Sequence, residues 1–330
     1  MTSLARSGLH PGLLLASQLS PPVQLHRVLT AFQSDPLALA TDAVAVAVLA
    51  IYLGLRLRVR REGSVRSNWR TLSFAAGLVT IFVATGSGLA SYEDSSFPMH
   101  VVQHLLLMTF APVFLALGAP ATLALQASGG RVKSRISAVL KSGFVETISF
   151  PVFAAILAYL TTALYFLTPL YGISERYAYL HGVLQLGGLV VGCIYWWPVV
   201  GLDPTRWKMS YAMRLAYLAT GIPINSLIGV ELTLNPASID RSLYSVSDTH
   251  SGGAVLWGVS VLVTLAGIAV MYWKWAGLDA RQALSSDLTL DRHLGTDPAR
   301  GLAGGIIMDP RTGLWHYPAD DAPTASGPSG

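Results

Sequence analysis

Apolar residues along this chain gather into seven runs, at about 36–57, 71–90, 98–118, 148–169, 177–200, 211–231 and 251–273. Each is close to the roughly 20 residues that a helix needs to cross about 30 Å of hydrocarbon. None shows the strict apolar–polar alternation of a half-buried strand. The pattern predicts an all-α polytopic membrane protein with seven transmembrane helices in one domain, residues 35–275. Asp35-Pro36 supplies a helix start for the first run, and Pro112 predicts a kink in the third. Ahead of this domain, Pro11, Pro21 and Pro22 interrupt a short apolar patch and no small-residue cleavage site follows it. Residues 1–34 are therefore read as an N-terminal segment rather than a signal peptide. The tail 276–330 is rich in Gly, Pro, Asp and Ser without an apolar period, and is expected to be a largely disordered appendage.

Charge orients the runs. The loop after the first run carries Arg56, Arg58, Arg60, Arg61, Arg66 and Arg70, the third loop Arg131, Lys133, Arg135 and Lys141, and the fifth Arg206, Lys208 and Arg214. The alternate loops hold only Arg176 and Arg241 among their bases. Basic loops stay in the cytoplasm, which predicts an N-terminus outside, residues 1–34 extracytoplasmic, and a cytoplasmic C-terminus in a bacterial cell membrane. Composition agrees: 52% of residues are hydrophobic and 12% charged, and the mean hydropathy is +0.50. The net charge of +4 lies in those short loops, so the partner it implies is the lipid bilayer and not nucleic acid. The aromatic triplet Tyr195, Trp196 and Trp197 and the sequence YWKW at 272–275 are expected at headgroup level. A lone Cys193 within an apolar run can form neither an intrachain disulfide nor a paired metal motif.

Candidate chemistry converges on one membrane face. His100, His104, His181 and His250 all lie at or just inside the outer end of a descending run. Ionisable groups there are costly and mark function. His100, His104 and Met108 follow each other at i, i+4 and i+8, on one helical stripe. Imidazole with thioether suits copper, the thioether favouring Cu(I); zinc remains open if the histidines bind alone. The expected metal ligands are His100, His104 and His181, with Met108 either a ligand or a core filler and His250 either a ligand or an interfacial residue. Asp42, Gln103, Met99, Gln185 and Asp248 are candidates to support them. Ligating imidazoles must be neutral, so copper binding is expected to weaken below about pH 6. Two other classes stay open: a b-type haem held by paired histidines, and a copper transporter, although no ionisable chain is visible through the midplane. A retinal protein is disfavoured because Lys274 sits at the end of the last run, and no nucleophile with a base partner points to an enzyme.

The block MHVVQHLLLMTFAPVFLALGAP at 99–120 resembles the most recognisable part of the seven-helix cytochrome c oxidase assembly proteins called CtaG, associated with caa-type oxidases and common in actinobacteria. Supporting landmarks are Asp35-Pro36-Leu37, TLSFAAGL after the Arg-rich loop, TPLYG from Thr168, His181, WWPVVGLDP from Trp196, and Asp248 with Gly252, Gly253 and Trp257. The resemblance covers about residues 35–283. It implies a membrane-embedded, non-enzymatic assembly factor that works with cytochrome c oxidase subunits and handles copper on the outer side. Two positions depart from the pattern: Gln185 stands where family members often carry a second histidine, and Asp248-Thr249 stands where they carry Asp-Gln, with His250 following.

Overall fold

The computed structural model describes residues 31–32, 36–63, 67–93, 96–236, 239, 244–294, 307–308 and 315–316. Expectations for residues 1–30, Asp35, Arg66, Asp240, Arg241 and most of the tail beyond Leu294 lie outside these. Residues 1–269 form one compact unit and residues 270–330 a second.

Helices dominate. They are α1 (Pro36–Arg61), α2 (Asn68–Thr85), α3 (Gly88–Glu93), α4 (Phe97–Leu105), a π-helical turn (Leu106–Phe110), α5 (Ala111–Leu117), α6 (Pro120–Ala127), α7 (Gly130–Leu140), α8 (Gly143–Ile148), α9 (Pro151–Leu167), α10 (Leu170–Arg176), α11 (Ala178–Val200), α12 (Tyr211–Leu234) and α13 (Val246–Leu294). The strands among the described residues are the two-residue β1 (Ile307–Met308) and β2 (Trp315–His316), paired antiparallel in the second unit. Among the described residues, five helical stretches are long and apolar enough to cross a membrane: Pro36–Arg61, Phe97–Ala127, Tyr179–Val200, Tyr211–Leu234 and Val246–Ala283. α9 and α10, bent by 70° at their junction, make a sixth if counted as one span. α2 has the length of a span at 18 residues, but its first turn is Asn68, Trp69 and Arg70. In Pro36–Arg61 only 11% of the most apolar window is buried inside the protein, so its valines and leucines face outward, as lipid contact requires and water would penalise. This is a multi-pass membrane protein.

Local sequence explains the joints. Pro112 has no N–H to give the Met108 carbonyl four residues earlier. The helix widens into the π turn just before it instead of breaking. A Cβ on Gly192 of α11 would collide with the Met108 carbonyl oxygen and come within 2.8 Å of Pro112 Cγ, so only glycine lets the two helices meet there. α12 and α13 cross as closely: a Cβ on Gly253 would lie 2.7 Å from the Gly229 carbonyl oxygen. Tyr52 of α1 stacks on Phe74 of α2 at 4.0 Å and donates to the Gly118 carbonyl at 2.9 Å, tying these helices to the end of α5. Asp203 is buried and accepts from Thr122 N (2.6 Å), Thr122 Oγ1 (2.7 Å), Ala121 N (3.4 Å) and Trp197 Nε1 (3.1 Å). It thereby caps α6, which gives the landmark WWPVVGLDP a structural purpose.

Two expectations are corrected. Tyr195 and Trp196 do not form an outward belt: both are buried, and the Tyr195 hydroxyl meets that of Tyr159 at 3.1 Å inside the bundle. The last helix does not stop near 273 but continues to Leu294, into the stretch expected to be disordered. An interior partner captures an aromatic hydroxyl at no loss of hydrogen bonding, and Ala280, Gln282, Ala283 and Leu284 are ordinary helix formers despite their lack of an apolar period.

Candidate metal centre

α4 begins on Phe97, which is fully buried against Phe166, Tyr171 and Tyr244. That anchor turns His100, one turn on, into the bundle, where it is 2% exposed. α11 brings His181 from the opposite side, and the two rings lie 5.4 Å apart between centroids. The third member comes from the break after α9. The Thr168 hydroxyl caps the Leu170 N–H at 3.2 Å, Pro169 turns the chain, and α10 folds back over the bundle end. Tyr171 is buried there and donates to the Tyr244 hydroxyl at 2.9 Å. Glu175, four residues later and so on the same helical face, points inward with its side chain 6% exposed.

His100, Glu175 and His181 form a group whose ligand atoms all lie within 4.8 Å of one another. Glu175 Oε1 is 3.0 Å from His181 Nδ1 and 3.9 Å from His100 Nδ1. Around a tetrahedral ion with bonds near 2.0–2.1 Å, neighbouring donors stand about 3.3 Å apart, between these two distances. Among the described residues, the buried Nδ1 of His100 and Oε1 of Glu175 have no hydrogen-bond partner, so an ion there would meet donors otherwise unused.

The outer nitrogens of both rings are held. The Tyr165 hydroxyl lies 3.1 Å from His100 Nε2. Gln103 donates to the Ala84 carbonyl at 2.8 Å, which turns its Oε1 toward Gln185 Nε2 at 3.0 Å. Gln185 Nε2 also stands 2.6 Å from His181 Nε2. This is the arrangement by which a neighbouring group fixes a ligand ring. Ligation through Nδ1 requires the His181 proton on Nε2; the Gln185 amide would then turn its oxygen to that N–H and give up its bond to the Gln103 oxygen.

The other expected residues are placed apart. His104 stacks parallel to Tyr165 at 5.7 Å and edge-on to Phe166, outside the group. Met108 lies in the π turn, where a Cβ on Gly188 would be 3.6 Å from its sulfur. His250 is exposed, with Nδ1 2.9 Å from the Thr233 carbonyl, and does not join the group. At the α12–α13 crossing its ring meets the neighbouring helix. Asp248 serves the start of α13, where the Ser245 hydroxyl donates to it at 2.9 Å. Asp42 faces Gly86, where a Cβ would meet Asp42 Oδ1 at 2.9 Å, and Met99 is half-buried. Glu175 and Tyr165 are the neighbours of these rings that sequence reasoning missed. The signal was present in the i, i+4 pairing of Glu175 with an aromatic, Tyr171, just after a Thr-Pro break. Polar groups also run deeper than expected, since Tyr159 joins Thr220 at 2.9 Å as well as Tyr195, and Tyr217 donates to the Tyr195 carbonyl at 3.3 Å.

Fold and site together define a multi-pass helical membrane protein with a buried two-histidine, one-glutamate cluster at one end of its bundle. The chain belongs to the cytochrome c oxidase caa3 assembly factor family, whose sequence profile matches residues 50–277. It is similar to the uncharacterized protein MT0111 of Mycobacterium tuberculosis, with 28% identity over 303 residues, covering 86% of this chain and 45% of that protein. It is also similar to the uncharacterized protein ML1998 of Mycobacterium leprae, with 29% identity over 300 residues and the same coverage, 86% and 45%. The chain thus spans a little under half the length of these curated relatives. No solved structure matches it significantly.

Proposed function

We propose that this protein handles copper during assembly of a haem-copper oxidase, carrying the ion as cargo between His100, His181 and Glu175. The observation that carries this reading is the pair of buried, hydrogen-bond-free ligand atoms, His100 Nδ1 and Glu175 Oε1, facing His181. Two imidazoles and a carboxylate suit Cu(II) and Zn(II) better than magnesium or calcium, and the family's service to a copper enzyme selects copper. The role is non-enzymatic and the partners are oxidase subunits.

In this reading α2, apolar from Leu72 onward, completes seven crossings, with the N-terminus outside and the C-terminus in the cytoplasm. The basic loops support that orientation, which places the cluster at the outer face. A b-type haem fits less well. The adjacent cavity, lined by His100, His104 and Gln185, holds about 130 Å³, below the 300 Å³ or more of sites for ligands of that size.

The test is deletion of the gene followed by measurement of copper and haem in the cell's oxidase. Copper-deficient oxidase is expected, and normal copper content would overturn the assembly role. Cu(II) bound by the purified protein should be lost in the double variant His100→Ala, His181→Ala.

A further inference from the structure

We infer that His104 and Met108 form a second copper site, selective for the monovalent ion, about one turn deeper in the bundle than the His100–Glu175–His181 cluster; this rests on the copper-handling reading above. The sequence places His100, His104 and Met108 on one stripe, but the fold divides them. His100 is drawn to Glu175 and His181, while the His104 ring lies flat against Tyr165. Among the described residues, neither nitrogen of the His104 ring has a hydrogen-bond partner. An imidazole within a membrane-spanning segment is costly to leave so, and its nitrogens must meet something in the space they face.

That space is real. A cavity of about 130 Å³ is lined by His100, Gln103, His104, Met108, Gln185 and Gly188, and a second of about 60 Å³ by His104, Met108, Tyr195 and Asn225 among others. Each is large enough for an ion or a water molecule. His104 and Met108 belong to both, so they stand where the two cavities adjoin. Gly188 opposite Met108 leaves the thioether uncovered on that side, a Cβ there lying 3.3 Å from Cγ and 3.6 Å from the sulfur. The π turn sets the sulfur at this position, since Met108 lies within it, four residues before Pro112.

The donor sets differ in kind. Two imidazoles and a carboxylate at the outer cluster accept a divalent ion, whereas one imidazole with a thioether and no anion matches the soft monovalent ion. Cys193, next to the Gly192 that packs on Met108, lines a separate cavity with Trp197 and Asp203 and does not join this set. The bland alternative is a water molecule on His104 with Met108 as packing, and it is separable by experiment.

The full chain, purified in detergent, is titrated anaerobically with Cu(I) against a chromogenic chelator. Wild type is expected to bind one equivalent of Cu(I), Met108→Leu, which keeps the volume, and His104→Gln none, and Glu175→Gln, which alters the outer cluster alone, still one; in a separate aerobic titration with Cu(II), wild type, Met108→Leu and His104→Gln should each bind one equivalent at the outer cluster. Copper K-edge X-ray absorption should show a sulfur scatterer in wild type that disappears in Met108→Leu. Equal metal-free thermal midpoints of wild type and Met108→Leu are expected, so that lost binding is not lost folding. Undiminished Cu(I) stoichiometry in both inner variants, or no sulfur scatterer in copper-loaded wild type, would overturn the inner site alone. Wild type without any copper would overturn this site and the proposed function together.

Discussion

Replacing Glu175 by Gln tests the metal centre most sharply, because it moves two measurable quantities in opposite directions. The substitution keeps the shape of the side chain and removes its charge. Without metal, Glu175 is 94% shielded as a side chain, being 6% exposed, and its Oε1 has no hydrogen bond. Taking an ionised carboxylate out of water costs several kcal/mol. Gln removes that cost, and each kcal/mol recovered raises the thermal midpoint by about 2–4 °C in a domain of this order of size. With copper bound, the same change deletes the single anionic donor. Breaking a buried charge pair by removing one partner costs about 3–5 kcal/mol, equivalent to about 150- to 4000-fold in affinity. Intrinsic fluorescence melting and competition with a copper chelator measure the two quantities. Expected are an unchanged or higher midpoint for the metal-free variant and a copper affinity at least about 100-fold weaker. A lower metal-free midpoint would show that Glu175 serves a structural ion pair with His181, and unchanged affinity would remove it from the site; either refutes the reasoning.

Other outcomes follow from the same geometry. His250→Ala should leave copper stoichiometry and affinity unchanged, since its ring is bonded to the Thr233 carbonyl away from the cluster; equilibrium dialysis reads this. Gln185→Leu should keep the stoichiometry of the outer cluster but weaken its binding about 10- to 100-fold, the usual effect of removing the group that fixes a ligand ring. Gly192→Ala should cost about 1–3 kcal/mol, read as a lowered midpoint, because a methyl group has no room between the Met108 carbonyl and Pro112. Asp203→Ala should cost about 1.5–3 kcal/mol or more by stranding the donors of Thr122 and Trp197, while leaving copper binding intact in the protein that folds.

The helices that cross the membrane were legible in the chain itself, because lipid demands an unbroken apolar run and every backbone group satisfied within it. His100 and His104 stood out for a related reason: they are polar where apolar residues are cheap. The composition of the site was not legible to the same degree. Helical spacing tells which side chains share a face, yet the 70° bend after Leu167 decides where Glu175 arrives, and no local period encodes that angle. The same limit divided His104 from His100. Each ring follows the aromatic and carboxylate groups that other helices bring to it, and those partners are more than 60 residues away in sequence, as with Tyr165 at a separation of 65 from His100. Gln185 shows both sides of the matter: its departure from the family's histidine is plain in the sequence, but only the packed bundle shows that its amide links Gln103 to the ring of His181. The sequence by itself thus determined the solvent and the helices, and named His100 and His181 as candidate donors without their neighbour Glu175. Tertiary structure decided which donors meet, because their meeting depends on breaks, crossings and close approaches that act between segments rather than along them.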